Sequence, residues 1–207
     1  MIESKDPITS KPVNEIPDDE IENAWNEPDA YLNKYDIDLA VCSPNISNRE
    51  LYRFTIEELF DGEMNDMNLS GMITCFTYDE FYPDHKYDNT RYAIDDCIEV
   101  IFNKKHEWMP WLRRENLCIN NHNNLTEADF KEIINRFKEA YEDIIVNEIK
   151  DVDFSIDETL CQVKGIYNIT MKLPGEEMVT AGNWNVNFER DLGYWSIVNV
   201  QIEGINF

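Results

Sequence analysis

The residues that could do chemistry are few. There are three histidines, His85, His106 and His122. General acid/base work needs such a group within hydrogen-bond reach of a partner. His106 follows two lysines and His122 lies in "CINNHNNL", so no His–Asp dyad can be placed and no catalytic residue is assigned. The seven glycines are scattered, which excludes a glycine-rich phosphate loop, and there is no G-x-S-x-G elbow. "DGEMNDMN", from Asp61, offers oxygen ligands but lacks the glycine at the sixth position and the glutamate at the twelfth of an EF-hand. No metal site and no cofactor are assigned. Five cysteines, Cys42, Cys75, Cys97, Cys118 and Cys161, form no C-x-x-C pair, which leaves a zinc ribbon unsupported. An odd count without an apolar signal core is expected to mean free thiols in a reducing cytoplasm.

Hydrogen-bonding side chains are more promising. In "YWSIVNVQI", strict alternation puts Trp195, Ile197, Asn199 and Gln201 on one side and Ser196, Val198, Val200 and Ile202 on the other. If Asn199 and Gln201 face a pocket, their amides offer donors and acceptors to a ligand. If not, they are solvent-facing strand residues.

Charge gives the other candidate. The chain has 42 acidic against 18 basic residues, a formal net charge of −24. Such a surface repels nucleic acid and anionic membranes and attracts basic proteins. Acid pairs such as Asp79 with Glu80 and Asp95 with Asp96 are candidate contacts for a basic partner.

The elements that position these residues are readable in part. Residues 1–20 hold three prolines and many acids and are expected to form a flexible acidic arm. Asp18 is expected to cap a short helix stopped by Pro28. A short strand is expected near Ile37–Val41, another through "LSGMITCFTY", and a helix from about Thr90. Residues 21–88 are otherwise unassigned. The clearest stripe runs through Phe130, Ile133, Ile134, Phe137, Tyr141, Ile144 and Ile145. It predicts a helix from Glu127 to about Ile145, capped by Thr126 with Asp129 closing a capping box. After Lys150 the sequence alternates with period two, turning at "PGEE" and "ERDLG".

The stretch "GIYNITMKLPGEEMVTAGNWNVNFERDLGYWSIVNVQI" resembles the closing strands of the nuclear-transport-factor-2-like (SnoaL-like, cystatin-superfamily) fold, over about residues 124–202. The resemblance implies an α+β domain over 89–207, with a curved antiparallel sheet wrapped against helices as a cone. A ligand in that cone would meet Tyr167, Trp184, Trp195, Asn199 and Gln201. Members of this fold include enzymes and plain binding proteins, so fold does not settle function. The expectation from charge is a non-catalytic binding protein on a basic partner, of inhibitor or immunity type. The alternative is an enzyme or small-ligand binder using the cone. A homodimer is left open.

Overall fold

The structure, a computed structural model, describes residues 11–60, 74–106 and 108–207. The chain divides into two compact units, Met1–Asp84 and His85–Phe207.

In the first unit, α1 (Ile21–Lys34) leads into β1 (Ile37–Ala40), followed by α2 (Asn48–Phe54) and a π-helical turn at Thr55–Leu59. Then come β2 (Thr74–Thr77), parallel to β1 with Ile37 opposite Thr74, and α3 (Tyr78–Phe81). Leu32, Ile37, Phe54, Leu59 and Tyr78 form its core. Three expectations are corrected. Pro28 does not stop α1 but is buried within it, and Glu20 rather than Asp18 stands at the N-cap. Nor are residues 11–20 a free arm. Val13 and Ile16 are buried against Tyr52, and Arg49 donates to the carbonyls of Val13 at 2.8 Å and Ile16 at 2.7 Å. Residues 1–10, the calcium-like run from Asp61 and the start of the "LSGMITCFTY" strand lie outside the described residues.

In the second unit, α4 (His85–Ala93) passes through a π-helical turn (Ile94–Ile98) into α5 (Glu99–Phe102). "CINNHNNL" is not a plain loop but a hairpin of β3 (Leu117–Ile119) and β4 (His122–Leu125). The helix α6 (Glu127–Glu139) carries the expected capping box of Thr126 and Asp129. It ends before Ile144 and Ile145, which belong to β5 (Asp143–Ile156). That β-branched run suits a strand better than a helix. Long strands β6 (Leu160–Leu173), β7 (Glu176–Asp191) and β8 (Tyr194–Ile202) follow.

One sheet results, in the order β4-β3-β8-β7-β6-β5. Its pairs are antiparallel except β3 with β8, which is parallel. The odd positions of β6, from Cys161 to Met171, are nearly all buried and meet the apolar faces of α4, α5 and α6 in one core. Two details fix the geometry. At the β7–β8 turn, Leu192 (φ 49°) and Gly193 (φ 91°) both take positive φ, the signature of a two-residue type I′ hairpin. Gly165 lies under Trp184, where a Cβ would sit 2.2 Å from the indole and from the Lys150 carbonyl, so only glycine fits.

Candidate functional site

The aromatic residues expected to line a cone are core residues. Tyr167 is buried, donates its hydroxyl to the Glu203 carbonyl, and packs its ring 5.2 Å from Phe102. Trp184 is buried and donates to the Ile166 carbonyl at 3.0 Å. Trp195 is buried as well, but its Nε1 has no hydrogen-bond partner among the described residues.

The helix α4 explains why Trp195 matters. His85 and Asn89, one turn apart on α4, share a helix face. The His85 ring stands edge-on 5.9 Å from the ring of Trp195. Asn89 is fully buried, and neither its Oδ1 nor its Nδ2 has a hydrogen-bond partner among the described residues. Its amide lies close to the Cys161 thiol without a hydrogen bond of normal geometry, and burial pushes that thiol up to about 11. Buried polar atoms left unpaired cost free energy, so such groups are informative. Nothing in the sequence singles out Asn89, which sits in the polar stretch "HKYDNTRYA".

Asn199 and Gln201 do not share a side with Trp195 and Ile197. Phe188 pairs with Ile197 and Asn187 with Asn199, so Val198 is an extra residue. This bulge shifts the alternation. Trp195, Ile197, Val200 and Ile202 face the core, while Asn199 and Gln201 face the opposite side of the sheet. There Gln162, Asn187 and Asn199 stand in register across three strands, and Gln162 donates to Asn187 at 2.9 Å. A cleft of about 660 Å³ opens on this face, lined by Asn199, Gln201, Gln162, Asn187 and Asn120 among others. The two amides are thus brought together with each other, and apart from the three aromatics.

The four acids fare differently. The Asp79 carboxylate accepts from the backbone N–H groups of Cys42 at 2.6 Å and Ser43 at 3.1 Å. Asp96 accepts from Trp111 Nε1 at 2.8 Å and lies 3.7 Å from Arg91. Glu80 and Asp95 are exposed, and partial burial raises Asp95 above the usual carboxylate range. A further acidic run lies outside these four. Residues 142–157 hold Glu142, Asp143, Glu148, Asp151, Asp153 and Asp157 against Lys150 as the sole cation. They follow the outermost strand, β5. Among the described residues, no group of three or more His, Cys, Asp or Glu is arranged to hold a metal ion.

No family model and no curated protein matches the sequence. Similar solved structures include a protein from Kribbella flavida, 14% identical, TM-score 0.46, covering 57% of this chain and 90% of that one. Another is a nuclear-transport-factor-2-like protein from Cytophaga hutchinsonii, 12% identical, TM-score 0.40, covering 56% and 95%. A member of the same family from Streptomyces avermitilis is 13% identical, TM-score 0.46, covering 57% and 96%. The last two are of the family that residues 124–202 resemble. Among the described residues no helix is long and apolar enough to cross a membrane.

Proposed function

We propose that this protein is a non-catalytic acidic binding protein that docks on a basic protein, as an inhibitor or immunity-type partner. Its carboxylates stand in for the phosphates that the partner's basic surface otherwise takes. The observation behind this reading is the acidic run along β5, six acids to one lysine over residues 142–157, in a chain of net charge −24. Charges of one sign along a surface raise the encounter rate with cations, and salt screens the effect. The same field opposes direct contact with nucleic acid or an anionic membrane. The exposed thiol of Cys75 fits a reducing cytoplasm. The test immobilises the full chain and passes purified basic nucleic-acid-binding proteins over it at low and high salt. Salt-sensitive binding that duplex DNA competes away is expected. Binding by none of them, or binding indifferent to salt, overturns the proposal.

One observation favours a second reading. The unpaired amide of Asn89 and indole N–H of Trp195 would suit a small neutral ligand with both a donor and an acceptor. Under this reading a screen of neutral polar compounds raises the melting temperature of the wild type and not of Asn89→Leu.

A further inference from the structure

The strand β5 ends the sheet, so the backbone N–H and C=O groups along its outer edge pair with no other strand among the described residues. At 14 residues it is a long edge. Exposed edges of this kind accept a further strand from another chain unless something prevents it. Val152 and Ile156 are 59% and 42% exposed beside it, which leaves apolar contact area for an incoming strand.

The pairing with β6 decides what strand fits. Two register shifts, between Val146 and Glu148 and between Asp151 and Asp153, divide β5 into three runs, Asp143 to Val146, Glu148 to Asp151 and Asp153 to Ile156. Each run begins with an acid. Asp143, Glu148 and Asp153 are five residues apart, and in an unbroken strand a spacing of five would alternate them between faces. The two bulges cancel that alternation. The three acids pair with Lys172, Asn168 and Lys164, all on the polar face of β6. Those partners are four residues apart, so the carboxylates form a line on one face at intervals of about 13 Å, with Lys150, opposite Ile166, standing on that face between Glu148 and Asp153. Asp153 meets Lys164 at 3.3 Å yet stays 60% exposed.

This line selects the occupant. A second copy pairing edge to edge would set two net-acidic rows, each of three acids to one lysine, beside each other, which is destabilising. A strand of opposite charge meets no such barrier. We infer that the free edge of β5 takes up an extended basic segment of the partner as an added strand, with Lys or Arg at every fourth residue facing Asp143, Glu148 and Asp153. The inference rests on the acidic-binder reading above and specifies how that partner is held.

The test uses the full chain and the labelled peptide Lys-Val-Thr-Val-Lys-Val-Thr-Val-Lys, whose lysines share one face at that spacing. Binding is followed by fluorescence anisotropy, and slowed exchange of the β5 amides by hydrogen exchange. The combined variant Asp143→Asn, Glu148→Gln, Asp153→Asn is expected to weaken binding about tenfold, since each exposed pair contributes little alone. A peptide N-methylated at alternate residues keeps the charge and loses the backbone donors, and is expected not to bind. If it binds as well as its parent, strand addition is overturned while the acidic surface stands as the docking face. Exchange slowed outside β5, or no binding of the parent peptide by a chain that still captures a folded basic protein, overturns strand addition as well.

Discussion

At the scale of single residues, the most tightly tied group lies in the first unit. The Arg53 guanidinium grips Glu50 through Nε at 2.8 Å and reaches Glu58, while Tyr78 donates to Glu50 at 2.8 Å and Tyr82 donates to Glu58. Arg53 holds the Glu50 carboxyl below the usual carboxylate range, and Tyr82 does the same for Glu58, with Arg53 second. The phenol of Tyr78, buried and bonded to Glu50, is pushed up to about 12. A lowered carboxyl stabilises the fold above its unfolded value and loses that contribution as pH falls through the folded one. Glu50→Gln is therefore expected to lower the unfolding free energy at neutral pH by about 1 kcal/mol, discounted for partial exposure. In urea titrations the difference from wild type should shrink as pH falls below the ordinary glutamate value and vanish only once pH is under the lowered folded one. The thiols separate by burial in the same way. Cys42 and Cys75 are exposed, whereas burial raises Cys97 and Cys161 and disfavours their reactive thiolates. Maleimide at neutral pH should label Cys42 and Cys75 in the native protein and leave Cys97 and Cys161 unmodified until denaturant is added. Intact-mass measurement reads the result, and early labelling of Cys161 would contradict its packing.

At the scale of elements, the sequence spoke clearly where one face is buried and one is wet. The α6 stripe, its Thr126 cap and the period-two strands were legible because burial imposes a period on the sequence. Thr126→Ala should cost about 1 kcal/mol, and Phe137→Ala about 3–5 kcal/mol, since that ring is core between Phe102, Tyr141 and Phe207. Thermal or urea unfolding measures both. Bulges were not legible. Val198 is an ordinary strand residue, and nothing in "WSIVNVQ" says that alternation slips there. The slip is what moved Asn199 and Gln201 off the face of Trp195. The end of α6 was missed for a related reason. Ile144 and Ile145 continue the helical stripe by spacing, yet Ile144 is buried from the sheet instead. Gly165 is the position where an element tolerates least. Gly165→Ala would press a methyl into the Trp184 ring and the Lys150 carbonyl, and should destabilise by at least the 1–3 kcal/mol typical of overpacking.

At the scale of the whole molecule, composition announced an acidic surface without saying which acids are free to act on a partner. Carboxylates are too costly to bury unpaired, so an excess of 42 over 18 must lie largely outside. The structure then sorts the four candidates. Asp79 and Asp96 are committed to Cys42, Ser43, Trp111 and Arg91, and Glu80 and Asp95 are not. The sequence could not make this distinction, because the partners of Asp79 lie far from it along the chain. Two different consequences follow from amide substitution. Asp79→Asn keeps an acceptor but weakens two charge-assisted bonds, and should lower stability by about 1–2 kcal/mol. Glu80→Gln should leave unfolding unchanged, and Asp95→Asn, which removes a carboxylate that partial burial disfavours, should not lower stability. A single exposed charge contributes little to affinity, and its share of the long-range field is larger in the encounter rate than in the lifetime of the complex. Stopped-flow association with a basic protein partner should therefore show a lower on-rate for the double variant at low salt, with the off-rate nearly unchanged. Raising the salt should bring variant and wild type together, because screening removes the field that the substitution reduced. A double variant that dissociates faster while associating at the wild-type rate would place Glu80 or Asp95 inside the contact itself, and the steering argument would fail for them.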